Sequence, residues 1–179
     1  MPATFDFRED NGAQTGSPLK GTTRTASRTE RNYKNIDDST TAYSSSPITA
    51  GNNSFSKYQF GAFTGTYNQI LNGKWSAHTS PAGALATGLT LKGLVTSAYA
   101  TPSTTTNALL TTDYTTATAV PGVQNVNFAV SGPEAASPTS TLASGSGFTQ
   151  YLVTQLQTTT SAAAGDMATI TETLQYDEN

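Results

Sequence analysis

The apolar positions of this chain fall into a regular pattern only after residue 53. In Lys57-Tyr58-Gln59-Phe60-Gly61-Ala62, the residues Tyr58, Phe60 and Ala62 alternate with Lys57, Gln59 and Gly61, the period of two expected of a half-buried strand. A second strand is predicted over 66–71. Asn72-Gly73 then reads as a tight hairpin turn into Lys74-Trp75-Ser76-Ala77-His78, because Asn-Gly supplies the two positive φ values that a type I′ turn requires. Residues 89–96 read as a strand in which two alternations meet at Gly93, the mark of a bulge.

Further along, Val126, Phe128 and Val130 alternate within 124–130, and Ser131-Gly132-Pro133 ends that run. Residues 150–158 place Leu152, Thr154 and Leu156 on one face and Tyr151 and Val153 on the other. Residues 168–176 bring Ile170, Leu174 and Tyr176 into phase. Glu172 shares that phase, which assigns it to a sheet margin or a subunit contact. Between these runs, 101–118 reads as a long loop or short edge strands anchored by Leu109, Leu110 and Tyr114. The Ser, Ala, Pro and Gly of 132–147 predict an exposed excursion. About seven strands at these turn spacings predict an all-β fold, an antiparallel β-sandwich over 54–179, with Ig-like and small jelly-roll orders both compatible.

Residues 1–53 lack such a pattern. Phe5, Phe7, Leu19, Tyr33, Ile36, Tyr43 and Ile48 are spaced too irregularly for a helix face, and Asp10-Asn11-Gly12, Gly16-Ser17-Pro18 and Ser44-Ser45-Ser46-Pro47 punctuate the segment with turn chemistry. About 50 polar residues cannot bury enough apolar surface to offset the entropy of ordering. The segment is therefore predicted to be an extended N-terminal arm, either a disordered, solvated tail or one laid across another subunit.

Composition sharpens this picture. Of 179 residues, 35% are hydrophobic and 12% charged, against globular averages of about 45–50% and about 25%. Threonine fills much of the gap at about a fifth of the chain, a β-branched bias that suits strands with solvated faces. The net charge is only −3, but it is segregated. Lys20, Arg24, Arg28, Arg31 and Lys34 are clustered with only Glu30 among them, and no Lys or Arg follows Lys92. Beyond it lie the acids Asp113, Glu134, Asp166, Glu172, Asp177 and Glu178. The expected consequence is head-to-tail assembly, with the basic arm of one subunit on an acidic face of Asp113, Glu134, Asp166 and Glu172 in the next. The basic cluster lacks the interleaved aromatics of a nucleic-acid stacking platform, so nucleic acid is not the expected partner.

The inventory excludes much chemistry. Without cysteine there is no disulfide, thiolate nucleophile or Cys-based metal site, and the single histidine, His78, excludes a multi-His site. His78 has no located carboxylate partner and reads as a polar strand-end residue. Asp37-Asp38 and Asp177-Glu178 lack ligand spacing, because adjacent side chains on extended backbone point to opposite sides. No Gly-x-Ser-x-Gly elbow is present. The expectation is a non-enzymatic protein with no catalytic residues, cofactor or metal. Tyr58, Tyr67 and Trp75 offer the one alternative, an aromatic platform for a sugar in a carbohydrate-binding or adhesion module, with core packing as the competing account. Asn52-Asn53-Ser54 matches a glycosylation sequon, but the start of the chain carries no basic and apolar leader pattern, and no stretch approaches the roughly 20 apolar residues of a membrane span. Cytoplasmic synthesis without a membrane partner is expected.

Two stretches add a resemblance. Tyr58-Gln59-Phe60-Gly61-Ala62-Phe63-Thr64-Gly65-Thr66-Tyr67-Asn68-Gln69-Ile70-Leu71-Asn72-Gly73-Lys74-Trp75 is one. The other is Leu156-Gln157-Thr158-Thr159-Thr160 with Ala162-Ala163-Ala164-Gly165-Asp166 and the closing Leu174-Gln175-Tyr176-Asp177-Glu178-Asn179. Together they resemble β-sandwich structural proteins of tailed-bacteriophage virions. That resemblance implies a component of the neck or collar at the head–tail connection, made in the host bacterial cytoplasm and carried in the virion. Its implied partners are further copies of itself in a ring or lattice, and other virion proteins such as portal, connector, tail or capsid. A capsid decoration or baseplate protein is the alternative within that class.

Overall fold

Threonine-rich, aromatic-rich alternating segments have one way to satisfy both side chains and backbone, which is to pair edge to edge and cover one sheet with another. The computed structural model describes residues 2–28, 32–80, 85–114, 124–143, 145–165 and 169–179, with the backbone alone at 78–80. The strands are β1 (Thr4–Thr15), β2 (Lys20–Thr25), β3 (Lys57–Thr64), β4 (Gln69–Ser80), β5 (Leu89–Thr96), β6 (Thr112–Asp113), β7 (Gln124–Asn125), β8 (Phe128–Ala129), β9 (Thr141–Ala143), β10 (Gly147–Thr149), β11 (Tyr151–Thr158) and β12 (Thr169–Glu178). One 3₁₀ turn, Tyr43–Ser45, is the helical structure among the described residues. The first sheet runs β2-β1-β3-β11-β5-β6, with β10 joining β3 to β8; the second runs β12-β4-β7, with β9 also on β4. All pairings are antiparallel, and the two sheets pack against each other through Phe7, Trp75, Leu91, Leu152, Leu156, Ile170 and Leu174.

The N-terminal segment departs most from expectation. β1 is bonded in continuous register to β3, from Thr4↔Thr64 to Asp10↔Tyr58, and β2 folds back on β1. Thr4–Thr15 and Lys20–Thr25 are therefore sheet strands of the same subunit, which corrects the extended-arm reading. The ladder also crosses the expected boundary between 1–53 and 54–179. The physical reason lies in β1 itself: Phe5 and Phe7 alternate with polar residues. Phe5 stacks on Phe63 at 5.2 Å and Phe7 on Trp75 at 5.6 Å, so the segment buries apolar surface within its own chain.

β3 is buried on both faces. Tyr58 and Phe60 join Tyr99, Leu110, Tyr151 and Val153 in a cluster on the outer side of the first sheet. The opposite face of β3 looks toward the second sheet, for a Cβ on Gly61 would lie 3.1 Å from Leu174 and closer still to Phe5. The alternation predicted for β3 holds, but its polar phase points inward.

Asn72-Gly73 is not a hairpin turn. β4 runs through it, and the pairing shifts between Gln175↔Lys74 and Asp177↔Leu71, leaving one extra residue on β4. Asn72 takes φ of 55° and donates to Asp177 Oδ2 at 2.7 Å. The positive φ that Asn tolerates builds a bulge here, because β12 on one side and β7 and β9 on the other keep β4 paired. Gly93, in contrast, sits in an unbroken β5–β11 register. It is small because a Cβ there would lie 2.3 Å from the Tyr114 ring. Val126 and Phe128 face the core as predicted, whereas Val130 is 68% exposed. The excursion at 132–147 tucks Glu134 and Ala135 inside and contributes β9.

Candidate functional site

The densest chemistry is a polar network built on β1. Phe7 packs toward the second sheet, so by alternation Glu9 and Asn11 share its face while Asp10 takes the other. On the outer face, Asp10 is fully buried. It accepts Arg24 Nε at Oδ1 and Nη2 at Oδ2, both at 2.7 Å, and the Tyr151 hydroxyl at 2.6 Å. Arg24 Nη2 also reaches Glu134 Oε2 at 3.1 Å, and the guanidinium lies 4.8 Å from the centroid of Phe60. Burial alone would lower the Arg24 pKa, but Asp10 and Glu134 hold it above its ordinary value. The Tyr151 hydroxyl is pushed up by burial and by the Asp10 charge.

On the inner face, Glu9 Oε1 accepts Lys57 Nζ at 3.2 Å and Asn11 Nδ2 at 2.9 Å. Asn11 Nδ2 also donates to Asp37 Oδ1 at 2.9 Å, and Gly12 N to Asp37 Oδ2 at 2.7 Å. Lys57 Nζ donates to the Asp38 carbonyl at 3.1 Å, while buried Lys34 donates to the Asp38 carboxylate and the Thr41 carbonyl. These bonds fasten the irregular stretch at 34–41 onto the first sheet.

The residues expected to form a basic arm are dispersed by this architecture. Arg24 and Lys34 are consumed by internal partners, Lys20 is exposed at the start of β2, and Arg28 follows β2 with its backbone N–H bonded to the Phe7 carbonyl. Arg31 lies outside the described residues. The acidic docking face is likewise not one face. Glu134 is buried against Arg24, and Asp113 pairs with Lys92 at 2.8 Å. Glu172 is half-buried and accepts the Tyr33 hydroxyl at 3.4 Å. Asp166 lies outside the described residues. The basic–acidic attraction legible in the sequence is thus realised within one subunit, between Arg24 and Glu134.

The sugar platform is overturned: Tyr58, Tyr67 and Trp75 are all buried and belong to three separate core clusters. His78 has its backbone in β4, paired with Thr171; its side chain lies outside the description. Among the described residues no group of three His, Cys, Asp or Glu side chains could hold a metal, and no helix is long and apolar enough to cross a membrane.

Sequence reasoning missed Glu9, Asp10, Asn11 and Lys57. The signal was present in the Phe5-x-Phe7-x-Glu9-x-Asn11 alternation, masked by the polarity of its second half.

The surface has two notable features. An open cleft of about 740 Å³ is lined by Asn72, Lys74, Leu174, Gln175, Tyr176 and Asp177. A narrower groove of about 290 Å³ lies between β5 and the 98–110 loop, with Leu109, 71% exposed, among its lining residues. Among the described residues, the path of the first sheet ends at β2 and β6 and that of the second at β12 and β7; β2 and β12 are the longer end strand of each, the other two being two residues long. No protein-family model, curated protein or solved structure matches this chain.

Proposed function

We propose that this chain is a non-enzymatic structural subunit of a tailed-bacteriophage virion, a β-sandwich of Ig-like or jelly-roll kind that assembles with copies of itself in the neck or collar. The observation that carries this reading is the unlike character of the two longer end strands, β2 and β12. β12 is ten residues long, contains no Lys, Arg or Pro and ends in Asp177 and Glu178; β2 begins with exposed Lys20. Lacking those blocking residues, β12 is a template for β-addition, with Lys20 on β2 as its charge complement, and unlike edges that pair head to tail form a ring when the rotation between subunits closes. The threonine-rich body supports the same reading, since its internal ion pairs leave it without a strong field of its own.

The test is the copy number of this chain per particle, by quantitative mass spectrometry of virions purified from the phage that encodes it. A few to a few tens of copies per virion supports a neck or collar ring; hundreds would move the protein to capsid decoration. Absence from particles overturns the proposal.

A further inference from the structure

Three side chains of the inner network stand in an arrangement that an ordinary ion pair does not require. The β1–β3 register ends at Asp10↔Tyr58, and one step further sets Asn11 opposite Lys57, where cross-strand Cβ atoms lie about 4.5–5.5 Å apart. Glu9, on the same face as Asn11, offers a single oxygen, Oε1, to both Lys57 Nζ at 3.2 Å and Asn11 Nδ2 at 2.9 Å. All three are enclosed, at 1% exposure for Glu9, 2% for Lys57 and 4% for Asn11. The orientation of the Asn11 amide is set by its neighbours: Nδ2 faces two carboxylates, of Glu9 and Asp37, which can only accept. That leaves Asn11 Oδ1 and Glu9 Oε2 as buried oxygens without a hydrogen-bond partner among the described residues.

We propose that Lys57 and Asn11 are the partners of an intramolecular isopeptide bond, formed by the folded chain itself with Glu9 as the catalytic acid–base. A nucleophilic amine, a carboxamide and a carboxylate touching both the attacking and the departing nitrogen are what such a condensation needs. Lys57 gives a proton from Nζ to Glu9, and Nζ adds to Cγ of Asn11. The proton on Glu9 turns one of its oxygens into a donor, and Asn11 Oδ1, where negative charge develops, is the buried acceptor that lacks one. The Cγ–Nδ2 bond then breaks. Nδ2 leaves as ammonia, taking the proton that Nζ no longer needs by way of Glu9. The lysine ammonium and the asparagine amide become a secondary amide and an ammonium ion; Glu9 returns to its carboxylate, and nothing is oxidised or reduced. The bond would staple β1 to β3 and close a long loop of the chain, constraining its unfolded state as a disulfide does, in a protein that has no cysteine.

Intact-mass spectrometry of the purified full chain tests this. The expected mass is below that of the sequence, with or without Met1, by one ammonia, about 17 Da. Peptide mapping should yield a linked species joining the segments around residues 11 and 57. Lys57→Arg and Glu9→Gln, which retain a cation or a hydrogen-bonding group at each place, should both restore the full mass and abolish the linked peptide. Asn11 precedes Gly12, and an Asn-Gly succinimide also loses ammonia. A deficit that persists in Lys57→Arg, or that mild base reverses by hydrolysis, overturns the proposal. A wild-type chain at full mass overturns it too, whatever the variants do.

Discussion

Asp10 and Arg24 meet through two parallel hydrogen bonds, both at 2.7 Å, with the carboxylate fully buried and the guanidinium lying against the ring of Phe60. The fork geometry aligns both donors with both acceptors, and Tyr151 and Glu134 complete the set. This pair fastens β2, on the outside of the sheet, to β1 and to the start of the excursion after β8.

Removing one partner leaves a desolvated charge behind, so Arg24→Ala should destabilise the fold by about 3–5 kcal/mol. Arg24→Lys should recover only part of the loss, since an ammonium cannot bond both oxygens in parallel. Urea denaturation reads this directly. A midpoint shared by wild type and Arg24→Ala would mean that the network carries no stability.

Deleting residues 2–27 removes β1 and β2, exposes the side of β3 that β1 covers and takes away Phe5 and Phe7. The remainder should not fold, which circular dichroism and solubility would report. A soluble, cooperatively melting fragment from residue 28 onward would restore the view of this segment as a dispensable arm.

Burial by itself would raise the Asp38 pKa, but hydrogen bonds from Lys34, Thr41 and Thr40 outweigh it and hold the carboxyl well below its ordinary value of 3.8. A carboxyl depressed on folding contributes stability that is fully present above the unfolded-state pKa and drains away as pH falls through and below it. Asp38→Asn should therefore be less stable than wild type at neutral pH, with the gap narrowing as pH drops below about 4. Denaturation series for both proteins between neutral and acid pH check this; a gap of constant size rules it out.

Gly73 lies where a Cβ would approach Phe128 and Val126 to 2.6 Å. Gly73→Ala should cost about 1–3 kcal/mol by overpacking, measurable as a lowered melting temperature. Ala at Gly165, which has open space around it but φ of 133°, would cost through backbone strain alone. Equal behaviour of Gly73→Ala and wild type would show that the core beneath the bulge has room to spare.

What the sequence determined by itself was whatever neighbouring residues decide. Alternation located β5 at residues 89–96 and split β11 into a Leu152, Thr154, Leu156 face and a Tyr151, Val153 face, because the pleat imposes a period of two on any strand. It also excluded thiol and multi-histidine chemistry. Tertiary structure decided the rest. Asn72-Gly73 has the same local conformational preference in a turn and in a bulge, and only the strands flanking β4 choose between them. The basic cluster reads as an arm for a neighbour until Asp10 and Glu134, which are 14 and 110 residues from Arg24 in the chain, arrive beside it. The Glu9, Asn11 and Lys57 constellation depends on a pairing across about 46 residues, a register that local propensity does not encode and that the burial of Phe5 and Phe7 against the second sheet sets.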